Sequence, residues 1–382
     1  MSTRTPQTQK PRSDRPRVAV VFGGRSSEHS ISCISAGSVI GALDPEKYDV
    51  VPVGITTDGR WVLESADPAH LALGPGGELP VVSGASPVAL DATAALVVAE
   101  PGEVPRTLGE VDVVFPVMHG PWGQDGTLQG LLELAGVRYV GAGVLSSAVG
   151  TDKVFMKQLF QARGLPVLPY TVVRPREWER DRAGVQEAVD SLGYPVFVKP
   201  ARAGSSFGIT RVDAPGDLVA AVEEARRFDP KVLVEAAATG AREVEIGVLD
   251  RLDGGLPETS EVAEIRVGGE HAFYDFAAKY LPEQQTSLDI PAELPEDITH
   301  RVRELAVQAF EALDVEGLAR VDFFVFAEDS TRPRVVLNEV ETMPGFTATS
   351  MFPRMWAASG LDYPSLVDRL VQLALGRGTG LR

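Results

Sequence analysis

The chain has 382 residues, which at roughly 100 to 200 per domain implies two or three domains, and its 44% hydrophobic content fills a core in each. Lys and Arg number 36 against 53 Asp and Glu, a formal charge of −17, which opposes the phosphate neutralisation that nucleic-acid binding needs. The lone cysteine, Cys33, forms no intramolecular disulfide, no Cys/His cluster has zinc spacing, and no apolar run reaches the roughly 18 to 20 residues of a membrane span. A soluble, cytoplasmic protein without nucleic-acid or membrane partners is expected.

Residues 1–16 carry Arg4, Lys10, Arg12 and Arg15 among Ser, Thr and Pro. With no apolar stretch of the kind a secretory signal requires, they read as a disordered tail. From residue 17, short apolar runs alternate with helix-period segments, the pattern of parallel sheets flanked by helices. Strands are predicted at 17–22, 50–55 and 111–117, with helices starting near Ser30 and Thr127. Residues 66–105 shift to Gly, Pro, Ser and Ala with weak alternation at 94–98, a hairpin excursion or surface loop from which little chemistry is expected.

The small-residue run GAGVLSSAVG at 141–150 marks a domain boundary, followed by a helix at 153–163. Next come an amphipathic stretch at 185–192, strands at 196–199, 209–212 and 232–235, and a helix at 218–226. Beyond 242, strands at 243–249, 261–267, 319–325 and 335–340 are interleaved with helices at 295–313 and 364–375. The reading is α/β, passing to α+β in the C-terminal part. The units are 17–145, 146–236 and 237–382, and there is no internal repeat.

Three places carry chemistry. In KPARAGSSFGI a lysine, Lys199, ends a strand and a Gly/Ser loop follows, so backbone N–H groups and a point charge can approach phosphate oxygens, although such a loop taken alone is more often just a turn. The Walker A order is absent. Near the C-terminus, Asp322 lies in ARVDFFV, and Glu339 and Glu341 lie two apart in VVLNEVE and so share a strand face. Embedded among apolar residues, where unpaired charge is costly, these carboxylates suit Mg²⁺ bridged to nucleotide phosphates. Arg320 shares the face of Asp322, either to stabilise charge on a transferring group or as an ion-pair partner of Glu339 or Glu341. At the front, FGGRSSEHSIS leads a strand through a glycine turn into a helix, where Glu28 either opposes the helix dipole or holds a substrate ammonium. His119 ends another strand at the sheet edge where ligands bind in open α/β folds, though a structural histidine reads as well.

In order, VVFGGRSSEHSIS, HGPWGQDGTLQGLLELAGVRYVGAG, DKVFMKQLF, VFVKPARAGSSFGI, FYDFAAKYL, GLARVDFF and NEVETMPGFTATSMFP resemble the D-alanine:D-alanine ligases of the ATP-grasp superfamily, from about residue 17 to 379. The resemblance implies an ATP-grasp fold behind an N-terminal Rossmann-like domain, and an ADP-forming ligation through an acyl phosphate for peptidoglycan synthesis, with ATP and two Mg²⁺ or Mn²⁺ ions. It places Lys153 and Lys199 at the ATP phosphates, Glu235 and Ala238 by the adenine, Glu243 at the ribose and Lys279 at the γ-phosphate. Asp322, Glu339 and Glu341 hold the metals. Glu28 binds the first ammonium and is linked through Ser205 to Tyr280, and His119 lies near the first carboxylate. Arg320 and the Gly345 N–H stabilise the acyl phosphate and oxyanion, and Ser350 takes the second carboxylate. A homodimer is implied, as is a lid at 271–285.

Three positions depart from the family's runs: Glu341 replaces an Asn, Gln124 an acidic residue and Thr151 a Met. The first adds charge at the metals and the second removes one expected near His119 or Lys279, while the third is expected to matter little. Tyr280 argues for an amine acceptor. The competing readings are a specialised relative joining another amino or hydroxy acid, and a nucleotide-binding protein without turnover.

Overall fold

The computed structural model describes residues 15–74, 76–84, 86–90, 94–98, 106–204, 206–267, 286–328 and 334–379. Most of the expected tail, the lid, Ser205, Lys279 and Tyr280 lie outside them. Among the described residues the strands form three sheets.

The first sheet contains β1 (Arg17–Gly23), β2 (Asp49–Ile55), β3 (Trp61–Leu63), β4 (Ser86–Leu90), β5 (Ala95–Val98), β6 (Arg106–Glu110), β7 (Val113–Val117) and β8 (Arg138–Tyr139), in the order β6-β5-β4-β3-β2-β1-β7-β8. Only β2-β1-β7-β8 run parallel. The excursion at 66–105 is of the expected hairpin kind: β4 and β5 pair antiparallel and, with β3 and β6, extend the sheet, because short connections cannot make a parallel crossover. The apolar run of β1 is buried on both faces, as a central parallel strand requires. Val18, Val20 and Phe22 enter one core and Ala19 and Val21 the other.

Helix α1 (His29–Ala42) follows β1, and α2 (Thr127–Leu134) and α3 (Val144–Thr151) follow the loop after β7. Thus the small-residue run 141–150 is largely helical. The second sheet holds β9 (Tyr170–Val173), β10 (Val196–Pro200), β11 (Thr210–Val212) and β12 (Val232–Ala236), in the order β11-β10-β12-β9 and wholly antiparallel. Around it lie α4 (Lys153–Ala162), α5 (Pro175–Arg180), α6 (Arg182–Asp190) and α7 (Leu218–Arg226). Val196 and Val198 pack with Val185, Val189, Leu218 and Val222. Strand alternation therefore turns Phe197 and Lys199 to the opposite face.

The third sheet, β13 (Arg242–Leu249), β14 (Glu258–Val267), β15 (Thr286–Asp289), β16 (Leu318–Val325) and β17 (Val335–Glu341), has the antiparallel order β15-β14-β13-β16-β17. Val244, Ile246, Val321 and Phe323 pack on Val302, Leu305, Ala309 and Phe310 of α8 (Glu296–Ala312). Two helices close the chain: α9 (Met351–Ala358), which sequence patterning missed, and α10 (Tyr363–Gly376). Leu366, Val367, Leu370, Val371 and Ala374 of α10 join the core of Val18, Val20 and Phe22, so the C-terminal helix covers the first sheet.

Candidate active site

With the apolar side chains of β13, β16 and β17 turned to α8, the alternate residues form a polar face. In register across the three strands lie Glu245, Asp322 and Glu339, and one step along lie Gly247, Arg320 and Glu341. The sharing of one face by Asp322, Glu339 and Glu341 is thus observed. A bulge separates the pairs Asp322↔Glu339 and Phe323↔Leu337, leaving Asn338 as the extra residue.

Of the two readings of Arg320, the ion pair is made with carboxylates other than Glu339 or Glu341. Arg320 chelates Asp322 with two 2.7 Å hydrogen bonds and meets Glu245 at 3.1 Å. The planar guanidinium matches a carboxylate two residues along its own strand and a second one opposite. Burial disfavours its charge, yet Asp322 and Glu245 overcome this and hold its pKa well above the ordinary value. Glu341 has the reverse outcome: burial and repulsion from Glu339 push it up to about 7, against attraction to Arg320 and Lys153.

The opposite wall is cationic. Asp152 caps α4 by accepting hydrogen bonds from Val154 N at 3.1 Å and Phe155 N at 3.3 Å. This fixes Lys153, whose Nζ lies 3.0 Å from Ala203 O and 3.3 Å from Glu339 Oε2. One turn along α4, Lys157 is 1% exposed and pairs with Glu235 at 2.5 Å, while Lys199 reaches the other oxygen of Glu235 at 2.8 Å. Burial works against the Glu235 carboxylate, but the two lysines outweigh it and its pKa is lowered.

Between the second and third sheets these walls enclose a cavity of about 350 Å³. Lys153, Lys199, Glu235, Ala238, Glu243, Asp322, Glu339 and Glu341 all line it, with Leu168, Phe197, Ile209 and Ile265 supplying apolar surface. The lining thus combines apolar surface that suits a flat ring with charged groups that suit an anionic chain.

Glu28 and His119 lie together at the first sheet. Ser26 Oγ donates to His119 O at 2.7 Å, and the imidazole contacts Ser35 Oγ through Nε2 and Met343 O through Nδ1, each at 3.3 Å. Burial lowers the His119 pKa, opposed by the nearby Glu28 carboxylate and by the Met343 carbonyl. At Gly120 φ is +77°, which favours glycine, and a Cβ there would stand 2.5 Å from Glu28 Oε2 and so displace that carboxylate. Gly204 brings the Gly/Ser loop to the same carboxylate, though less closely, since a Cβ there would be 3.3 Å from Glu28 Oε2. Gln124, the departure from the family's acid at this position, donates to Glu341 at 3.3 Å.

Beyond β17, Gly345 is half-buried and Ser350 stands at the N-terminus of α9, its Oγ 2.7 Å from Thr347 Oγ1. Sequence reasoning missed Lys157 and Glu245. Each had a signal: Lys157 falls on the apolar face of α4 with Val154 and Phe160, and Glu245 alternates with Val244 and Ile246 beside Glu243.

Among the described residues no three His, Cys, Asp or Glu side chains form a metal cage by themselves. The carboxylates of the third sheet are partly engaged by Arg320 and Lys153. The elevated pKa of Glu341 nevertheless marks a surplus of negative charge that a cation relieves, so these residues fit a divalent ion whose remaining ligands come from phosphate oxygens.

Two antiparallel sheets facing each other across a cleft with cationic and acidic walls define an ATP-grasp protein. Family models agree: the one described as D-ala D-ala ligase N-terminus matches residues 17–142, and the one described as D-ala D-ala ligase C-terminus matches 159–372. The chain is 58% identical over 376 residues to a D-alanine–D-alanine ligase of Kineococcus radiotolerans, covering 96% of this chain and 99% of that relative. It is 56% identical to one of Streptomyces coelicolor, covering 96% and 95%. Among solved structures, the VanG D-Ala:D-Ser ligase from Enterococcus faecalis superposes with TM-score 0.79 at 34% identity, covering 94% of this chain and all of that one. The D-alanine-D-alanine ligase from Coxiella burnetii gives TM-score 0.76 at 33% identity, covering 95% and 94%. The chain belongs to the D-Ala–D-Ala ligase family.

Proposed function

We propose that this protein uses ATP to join two D-alanines into D-alanyl-D-alanine through an acyl phosphate, supplying peptidoglycan precursor. The observation that carries this reading is the convergence of Lys153, Lys199, Glu235, Glu243, Asp322 and Glu339 on one cavity, in a chain similar along nearly its whole length to D-alanine–D-alanine ligases.

The adenine lies among Phe197, Ala238 and Glu235, the ribose at Glu243, and Lys153 and Lys199 meet the phosphates, joined by Lys279 at the γ-phosphate. Asp322, Glu339 and Glu341 would hold Mg²⁺ or Mn²⁺, two ions in all, which offset phosphate charge when bound. Glu28 takes the first ammonium, beside Gly120 and Gly204, and Ser205 and Tyr280 complete that contact. His119, whose charge burial disfavours, lies beside Glu28 near the first carboxylate, its ring held by Ser35 and Met343.

Arg320, fixed by Asp322 and Glu245, stabilises charge on the transferring group, and the Gly345 N–H serves the oxyanion formed when the second amine attacks. Ser350, at a helix N-terminus, receives the second carboxylate. The resemblance assigns to 271–285, outside the described residues, the part of a lid that keeps water from the acyl phosphate.

A homodimer is supported by Leu131, Leu134, Val144 and Leu145, which leave apolar surface exposed on α2 and α3. The buried thiol of Cys33 is at ease in the reducing cytoplasm. No helix among the described residues is long and apolar enough to cross a membrane.

The test is ADP release by the purified protein with ATP, Mg²⁺ and D-alanine, alone and against D-serine or D-lactate, with products identified by mass. D-alanyl-D-alanine as main product is expected. A mixed product would redirect the acceptor assignment, and no product would overturn the reading.

A further inference from the structure

Gln124 and Glu341, 217 residues apart in sequence, meet at the edge of the cavity. Gln124 Nε2 donates to Glu341 Oε2 at 3.3 Å. The backbone of Gln124 is pinned on both sides: its N–H donates to Gly120 O at 3.1 Å, and its carbonyl accepts from Thr151 Oγ1 at 3.1 Å, from the last residue of α3. The three departures from the family's runs therefore form one hydrogen-bonded chain, Thr151 to Gln124 to Glu341.

The chemistry of the contact is specific. Glu341 already faces Glu339, Asp322, Arg320 and Lys153. An ionised carboxylate only accepts hydrogen bonds. A second carboxylate at 124 would therefore repel Glu341, whereas an amide donates without adding charge. The reverse assignment, an acid at 124 and an amide at 341, carries the same net charge and the same single hydrogen bond.

We propose that Gln124, held by Thr151, is a positioning residue that orients Glu341 at the carboxylate face and couples the loop after β7 to cation binding there. The proposal rests on the reading of Glu341 as a cation ligand. It makes divalent-ion affinity, and not D-alanine binding, the property that depends on the pair.

The test is Mn²⁺ binding to the full-length protein in the presence of ADP, followed by the spectrum of free Mn²⁺, for Gln124→Ala, Gln124→Glu, Glu341→Gln and the exchanged pair Q124E/E341Q. KM for D-alanine and kcat are measured alongside. Loss of a hydrogen bond to a charged group predicts roughly tenfold weaker Mn²⁺ binding in Gln124→Ala, and a larger loss in Gln124→Glu. The exchanged pair should return to within about threefold of the parent, with KM for D-alanine changed less than about twofold throughout. Thr151→Val, which only unpins the loop, should give a shift of roughly threefold in the same direction and carries the test should Gln124→Glu fail to fold.

If Glu341→Gln weakens Mn²⁺ binding while Gln124→Ala and Thr151→Val do not, the positioning role is overturned and the cation reading stands. An exchanged pair no better than Gln124→Glu also overturns it. If Glu341→Gln itself leaves Mn²⁺ binding unchanged, the cation reading fails and the inference with it.

Discussion

At the Glu235 end of the cavity, one buried carboxylate is shared by two lysines, Lys157 at 2.5 Å and Lys199 at 2.8 Å, and despite burial its pKa is held down. At the other end, Glu341 stands beside Glu339 and Asp322, and burial together with Glu339 pushes it up to about 7 although Arg320 and Lys153 are near. Both ends remove carboxylates from water. The first is neutralised from within and holds its shape without a ligand, whereas the second retains a surplus of negative charge that an incoming cation offsets. The difference separates a carboxylate balanced by the protein's own cations from carboxylates that an incoming cation balances.

The sharpest way to break this comparison is Lys157→Met, which strips the 1%-exposed partner from Glu235. Breaking a buried pair typically costs about 3 to 5 kcal/mol, read as a lower midpoint in denaturant unfolding. Lys199→Met should cost less, since its side chain is 12% exposed and water screens what remains. Equal losses would mean that the two lysines are not distinct in role.

Arg320→Ala attacks the other end. Turnover should fall roughly 100- to 1000-fold, while ATP binding, followed by calorimetry, survives. Strong activity in that variant would remove Arg320 from the chemistry.

Acidity separates the ends more gently. Glu341 is raised from 4.5 to about 7, so the folded state holds its proton more tightly than the unfolded chain. Its contribution to stability is complete below pH 4.5 and is lost as pH rises to 7, by at most about 3 kcal/mol. Glu235, lowered, does the opposite: its contribution is present above the ordinary carboxylate range and lost on acidification through its folded value. Thermal midpoints of the cation-free protein should lose the first dependence in Glu341→Gln and keep the second.

The smallest effect is expected at Ser350. Its replacement by alanine removes one hydroxyl at the start of α9 and should raise KM for the acceptor D-alanine about tenfold with little change in kcat.

Strand alternation in VVLNEVE and ARVDFFV was enough, from sequence alone, to put Glu339 with Glu341 and Arg320 with Asp322 on common faces, because a two-residue period leaves no other choice. The apolar run of β1 and the helical spacing of α7 and α8 were legible for the same reason. Ordered motifs carried the family and, through it, the expected roles. Only the tertiary structure decided which strands are neighbours. It set Glu245, Asp322 and Glu339 in register, placed the bulge at Asn338, and gave Arg320 to Asp322 and Glu245 in place of Glu339 or Glu341. It also made the second sheet antiparallel and brought α10 back over the first. The period of a strand fixes the direction of a side chain but not what lies opposite. The meetings of Lys157 with Glu235 and of Gln124 with Glu341 join residues far apart in the chain, and the packing of three sheets alone determines them.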